Sequence, residues 1–156
     1  MSRAVPPETE LGYAPPLVRQ FSVFLDNRVG KLLDLVQLFD ETPEVVLRAF
    51  SIHDSSDHAV VRLILDNADA ARHLLRRKQF SFSENDVLVV EFGDGLGLTQ
   101  VCLFLLGAEL NIRFSYPVMA GSRETPTIAL SVDDNQLAGQ ILRRKGFTLL
   151  GEEDLA

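Results

Sequence analysis

Apolar and polar positions along this chain follow one order, and then follow it again. Gln20 to Leu25 alternates, with Phe21, Val23 and Leu25 on one face and Gln20, Ser22 and Phe24 on the other, the period of a half-buried strand. After a short loop containing Gly30, the residues Leu32, Leu35, Val36 and Phe39 recur at helical spacing between about Lys31 and Asp40, and Pro43 marks the end of that helix. Val45 to His53 and His58 to Leu65 read as two strands joined by the polar turn Asp54-Ser55-Ser56-Asp57. Asp66 or Asn67 caps a second helix running through Lys78, whose closing Arg76-Arg77-Lys78 suits the negative end of the helix dipole. A last strand from Phe80 to Ser83 completes the set.

The set returns 67 residues later, where Leu75-Arg76-Arg77-Lys78-Gln79-Phe80 becomes Leu142-Arg143-Arg144-Lys145-Gly146-Phe147. The same offset carries Leu65-Asp66 to Val132-Asp133, Gly30 to Gly97, and Phe21, Val23 and Leu25 to Leu88, Val90 and Phe92. A two-residue slip before the mid-copy hairpin places Arg48 on Arg113. The second copy is predicted as a strand over Val87 to Phe92, a helix over Leu98 to Ala108 and a hairpin of Asn111 to Met119 with Thr125 to Val132. A helix over Asp134 to Lys145 and a strand over Phe147 to Leu150 follow, with Gly146 where a helix C-terminal glycine belongs.

The chain therefore divides near residue 85, into an extended arm over 1–16 that carries four prolines, a first domain over 17–84 and a second over 85–156. Each copy has the order βαββαβ, which defines an α+β class: two ferredoxin-like units in tandem, with antiparallel sheets and helices on one face. That arrangement leaves the other sheet face open. Val87 and Val89 point there, and the helix stretch Val101 to Leu106 is apolar nearly all round. The two copies are expected to pack against each other, and the chain to form a homodimer.

A hydrophobic share of 46% supports a packed core, and a net charge of -7 repels phosphate backbones and anionic lipid, so neither nucleic acid nor membrane is an expected partner. One cysteine, Cys102, excludes an internal disulfide framework. It shares a helix with Leu98, Val101 and Leu105 and is expected to be a packed thiol. Residues 1–16 lack the apolar segment of a signal peptide, and Val101 to Leu106, the longest purely apolar stretch, is too short to span a bilayer. A cytoplasmic location is expected.

Motifs that would carry chemistry are weak. Gly93-Asp94-Gly95-Leu96-Gly97 lacks the third glycine of a dinucleotide loop at the required spacing and lies in the wrong topology. His53, Asp54, Asp57 and His58 flank a turn, with no second pair to complete a metal site. His73 has no serine, cysteine or acid at triad spacing, and the Arg-Arg-Lys clusters are helix-end charges. No nucleophile–base pair appears, so no catalysis, cofactor or metal is expected.

The run Phe24-Leu25-Asp26-Asn27-Arg28-Val29-Gly30-Lys31-Leu32 resembles the ACT family of ligand-sensing domains: its first strand, its Asp/Asn-containing loop and the glycine opening its first helix. In the second copy, Phe92-Gly93-Asp94-Gly95-Leu96-Gly97-Leu98 and Gly107-Ala108-Glu109-Leu110-Asn111-Ile112 are similar to the same loop and to the family's passage from helix to second strand. The resemblance covers residues 18–150. It departs where the family usually has proline before the loop glycine, since Val29 and Leu96 stand there, and where Val46 occupies the place of Asn111.

The resemblance implies a non-catalytic regulator that binds a free amino acid between ACT units and transmits its presence to an enzyme of amino-acid metabolism. An acetolactate synthase-type enzyme is one such partner, and a ligand-free interaction module is the alternative. The site residues it implies are Asn27, Arg28, Val29 and Gly30 in the first copy, with Asp94, Leu96, Gly97 and Asn111 in the second. Helix-start N–H groups would take the ligand's carboxylate, and the oxygens of Asn27, Asp94 and Asn111 would take its ammonium. By this reading the loop at Asn27 to Gly30 pairs with Asn111 in one dominant site, and the weaker mirror site pairs Asp94 to Gly97 with Val46. Phe24, Phe92, Phe114 and Tyr116 are candidates to shape the pocket.

Overall fold

The computed structural model describes residues 8–9, 12–26, 29–119 and 124–155. A short ladder pairs β1 (Glu8–Thr9) with β2 (Gly12–Tyr13). The first copy is built from β3 (Val18–Asp26), α1 (Lys31–Asp40), β4 (Leu47–Asp54), β5 (His58–Leu65), α2 (Ala68–Arg77) and the opening of β6 (Ser81–Glu91). The second takes the rest of β6, then α3 (Leu98–Gly107), β7 (Ile112–Pro117), β8 (Thr127–Val132), α4 (Asn135–Arg144), β9 (Thr148–Leu150) and a closing 3-10 turn, Glu152–Leu155. The chain separates into two compact units at Asn85 and Asp86, with residues up to Val18 grouping with the second.

In the first unit β5 lies between β4 and β3, antiparallel to both, and β3 neighbours β6. In the second, β8 lies between β7 and β6, and β9 pairs with the other edge of β6, again antiparallel. These are two α+β ferredoxin-like units in tandem. Their cores repeat residue for residue: Phe21, Val23, Leu63, Leu65, Ala71 and Leu75 fill the first, and Leu88, Val90, Leu130, Val132, Ala138 and Leu142 fill the second at the same offset. The two-residue slip arises in the connection from first helix to hairpin, 41–46 in the first copy and 108–111 in the second, and beyond it the hairpins match. Arg48 and Arg113 each sit at a register shift, in the β4/β5 and β7/β8 ladders, so both hairpins carry the same β-bulge at the aligned position.

The second helix of each copy opens on a side-chain cap. The side chain of Asn67, rather than Asp66, accepts from the Ala70 N–H at the start of α2, and Asp134 accepts from Leu137 N–H at 3.0 Å at the start of α4.

Three expectations are corrected. The strands predicted separately at Phe80 to Ser83 and Val87 to Phe92 are one continuous strand, Ser81–Glu91, because the polar run Glu84-Asn85-Asp86 stays extended. On β3, Gln20 and Ser22 are buried with the apolar face, and only Phe24 and Asp26 of the alternate face are exposed, so the strand is not simply half-buried. Cys102 is exposed, not packed. Val101 and Leu105 of α3 are buried in the core and Phe104 packs against it, while Leu98, Leu103 and Leu106 are exposed. Uniform apolarity hides which face of a helix is the inner one. Val87 and Val89 have no exposed surface.

The residues before β3 pack onto the second unit. Pro15 is buried against α4 at Gly139, where a Cβ would fall 2.5 Å from the Pro15 Cβ and 3.1 Å from Leu88 Cδ2. Only a residue without a side chain lets the proline lie this close to the helix.

Candidate functional site

Gly30 and Gly97 occupy the same place in the repeat and open helices of the same length, but their backbones differ. Gly30 lies at φ 95°, a left-handed conformation that glycine adopts without strain, and no side chain caps the N-terminus of α1 behind it. Among the described residues the first N–H groups of α1 therefore have no side-chain capping partner, as an anion site requires. Val29 stands fully exposed beside them. Asn27 and Arg28 lie outside the described residues.

In the second copy the turn is closed on itself. Gly93 and Leu96 exchange N–H···O bonds of 3.1 and 2.9 Å across Asp94 and Gly95, both at positive φ, forming the two-residue hairpin turn that an Asp-Gly pair favours. Gly97 is extended, and its N–H donates to Gln100 Oε1 at 2.9 Å. Leu96 leans on the second core beside Gly146. Asp94 remains exposed at the turn.

Asn111 precedes β7 as Val46 precedes β4. The backbone N–H of each donates to the carboxylate of an aspartate at the end of the neighbouring strand: Val46 to Asp66 at 2.8 Å and Asn111 to Asp133 at 3.3 Å. Their carbonyls accept from the same aspartates' N–H groups. The backbone roles match, which leaves the exposed Asn111 side chain unused by the fold.

Sequence reasoning missed a cleft in the first unit, of about 480 Å³, directly below the Gly30 turn. One wall is a stripe of α1, with Lys31, Asp34, Gln37 and Glu41 at helical spacing, and the other is the passage from α2 to β6 at Lys78 and Gln79. Leu25, Leu38 and Phe80 form its apolar floor. Gln79 sits at φ 61°, strained for a residue with a side chain.

The equivalent place in the second unit is filled. Phe104 and Phe92, in place of Gln37 and Leu25, each meet the ring of Phe147 at 6.3 Å, edge to face, and the Lys145 ammonium lies 5.2 Å above Phe104. The signal was present in the repeat: at the offset of 67, Lys31, Asp34 and Gln37 fall on Leu98, Val101 and Phe104, a face switched from charged to apolar.

The other sequence candidates assemble into nothing comparable. Phe114 and Tyr116 stack at 6.1 Å, and Tyr116 is buried. His53, Asp54, Asp57 and His58 are exposed around a turn closed by Ser55, whose hydroxyl and N–H both donate to the His58 carbonyl. Among the described residues no three His, Cys, Asp or Glu side chains converge as metal ligands do, and no helix is long and apolar enough to cross a membrane.

Along the first half of α2, Arg72 binds Glu84 with paired hydrogen bonds and also reaches Asp69 in the first turn, which in turn meets Arg19. The Arg72 guanidinium holds the Glu84 carboxyl below the usual range. It does the same to Asp69, with the charge of Arg19 adding to the effect.

Two ferredoxin-like α+β units in tandem, each with a glycine opening its first helix, define the class of fold. The chain belongs to the ACT domain pair family, whose model matches residues 17–156. A protein from Bacteroides thetaiotaomicron of solved structure superposes with a TM-score of 0.79 at 22% identity, over 90% of this chain and 96% of that one. The ligand-free regulatory subunit of aspartate kinase from Thermus thermophilus superposes with a TM-score of 0.53 at 9% identity, over 85% and 94%. No curated protein matches the sequence.

Proposed function

We propose that this protein is a non-catalytic regulator that binds a free amino acid and passes that signal to an enzyme of amino-acid metabolism. The observation that carries the reading is the opening of α1: behind a left-handed glycine, its first N–H groups have no side-chain cap among the described residues, at the loop where the resemblance to the ACT family implies ligand. Asn27, Arg28, Val29 and Gly30 in the first copy, and Asp94, Leu96, Gly97 and Asn111 in the second, are the proposed ligand-binding residues. The first turn is the stronger of the two, since Gln100 already occupies the Gly97 N–H in the second. A homodimer that associates in the cytoplasm with a biosynthetic enzyme, as a small regulatory subunit of the acetolactate synthase type would, completes the proposal.

One observation favours a second reading, a ligand-free interaction module. Leu98, Leu103 and Leu106 present an uncharged outward face on α3, and such faces serve protein contacts.

Thermal shift against the twenty amino acids separates the two. Ligand at about 100 times its dissociation constant adds roughly 2.7 kcal/mol of stability, and the expected result is a selective rise in melting temperature that Asn111→Ala removes. Asn111 is exposed and contributes only its backbone to the fold, so this variant leaves the unliganded melting temperature unchanged. A flat panel would leave the interaction module standing.

A further inference from the structure

We infer that a second copy of this chain docks on the free edge of β4, the two β4 strands pairing antiparallel about a two-fold axis at Ser51. This rests on the homodimer in the reading above and adds to it the place where the copies meet.

β4 is paired on one side only, by β5. The hairpin fixes which of its backbone groups face the other way. The Ser55 N–H donates to the His58 carbonyl, so these two residues are a hydrogen-bonded pair, and such pairs recur at every second residue of an antiparallel ladder. His53, opposite Val60, and Ser51, opposite Arg62, therefore turn their N–H and C=O groups to β5. Those of Phe50, Ile52 and Asp54 point to the free edge. Folded proteins blunt such edges with charge, proline or bulges. Beyond the bulge at Arg48, β4 carries none of these until Asp54, and it exposes Phe50 at 47% and Ile52 at 46% where the backbone is unpaired.

The hairpin of the second copy is protected at the same place. In β7 the Val118 N–H donates to the Thr127 carbonyl, so Tyr116 and Phe114 face β8, and Ser115 and Pro117 face the edge. Proline at an outward position has no N–H to offer a neighbour, and the residues exposed along β7 are Arg113, Ser115 and Pro117. Of the two hairpins only the first offers an edge that can pair. A single self-complementary edge closes a dimer instead of propagating a filament.

The occupant follows from the order of residues along β4. Pairing the strand with itself sets outward residue against outward residue, which leaves registers centred on Phe50, Ser51 or Ile52. Centred on Phe50, Asp54 falls against Val46; centred on Ile52, it falls against Phe50. Centred on Ser51, Phe50 of each copy meets Ile52 of the other, and Asp54 meets Arg48. Apolar against apolar and cation against anion is the pattern that stabilises cross-strand neighbours. Arg48 is tied to Asp66 through one terminal nitrogen at 3.8 Å, and its Nε has no hydrogen-bond partner. The bulge confines backbone pairing to the centre, where Phe50 and Ile52 exchange both N–H···O bonds in each half. A strand from another protein would have to supply these matches, whereas a second copy contains them.

The test is light scattering of the full chain over a concentration series, with disulfide trapping in a Cys102→Ser background. The chain is expected to be a dimer. Centred on Ser51, the two Ser51 residues form a non-hydrogen-bonded pair with Cα atoms about 4.5 Å apart, within reach of a disulfide. Ser51→Cys should therefore link two chains under mild oxidation. His53→Cys should not, since the two copies of that residue lie about 14 Å apart along the strands. Either neighbouring register would move the Ser51 pair to about 8 Å and prevent the link. Ile52→Pro copies the outward proline of β7 and removes no hydrogen bond to β5; it should raise the dissociation constant about tenfold or more. Ile52→Lys should do the same without constraining the backbone, and its circular dichroism should match the parent. If the chain is a dimer that Ile52→Lys leaves intact and Ser51→Cys does not link, the inference fails and the homodimer stands on another surface. If the chain is a monomer throughout the series, both fail, and the edge is left to an extended peptide of another protein. The amino-acid reading is judged separately, by its thermal-shift panel.

Discussion

The two copies share a core, the capping of their second helices and a β-bulge, yet one place in them has been put to opposite uses. Between the first helix and the last turn before the final strand, the second copy stacks three phenylalanines and the first leaves a charged cleft. Positions that meet inside the sheet and under both helices are held to one pattern, because a mismatch there costs packing throughout the unit. The outer flank of the first helix is not so constrained. One copy has used it to add to its core and the other to hold unpaired charge. A repeat with one open and one closed flank has a division of labour: the second unit is expected to supply rigidity, and the first to respond to ligand.

The largest effect is expected where the closed flank is opened. Phe147 is buried and its ring meets both Phe92 and Phe104. Phe147→Ala should cost about 3–5 kcal/mol in denaturant unfolding. Phe80, its counterpart 67 residues earlier, is only partly buried on the floor of the cleft, and Phe80→Ala should cost well under half as much. Equal losses would mean that the two flanks are packed alike and would remove the basis of the comparison.

A second difference lies on the second helix of each copy. Position 72 is an arginine tied to Glu84 and Asp69, and position 139 is a glycine under Pro15. By helix propensity alone Gly139→Ala would gain about 1 kcal/mol. The added Cβ would fall 2.5 Å from Pro15 Cβ and 2.7 Å from its Cγ, so the expected outcome is a net loss of about 1–3 kcal/mol. Pro15→Gly removes both opposing atoms, and the double variant should recover part of the loss, a coupling that a double-mutant cycle reads directly. A Gly139→Ala protein as stable as the parent would mean that Pro15 does not seat on α4.

Much of this was legible in the sequence, and the reasons for the rest are physical. The offset of 67, the four helices and a cap at Asp66 or Asn67 came from periodicity and local hydrogen-bond chemistry, which are written in neighbouring residues. The Asp94-Gly95 turn carries its own signature, although the sequence alone suggested a ligand loop rather than a closed hairpin. Burial across an element was less accessible. Cys102 was assigned inward because every residue near it is apolar, and Gln20 was assigned outward because it is polar; the packing decided otherwise in both cases. The cleft escaped because it is a difference between copies, whereas the search had been for what they share. Reading Gln37 against Phe104 finds it.

The smallest expected effect belongs to the ion pairs, and its sign follows from the two carboxylates. Arg72 holds Glu84 and Asp69 below their ordinary range in the folded chain. Their contribution is therefore fully present above the unfolded-state value near 4 and is lost as pH falls through the lower folded-state values. Gly139 stands at the matching position of the second copy, so this stabilisation has no counterpart at that site. Melting curves between about pH 5 and 2 should show the parent losing stability with acid more steeply than Arg72→Gln. The gap between the two curves should shrink on adding salt, since these groups are partly exposed and screened. Parallel curves at low salt would mean that solvent already satisfies Glu84 and Asp69, leaving the open flank and the proline strap as the differences between the copies that carry energy.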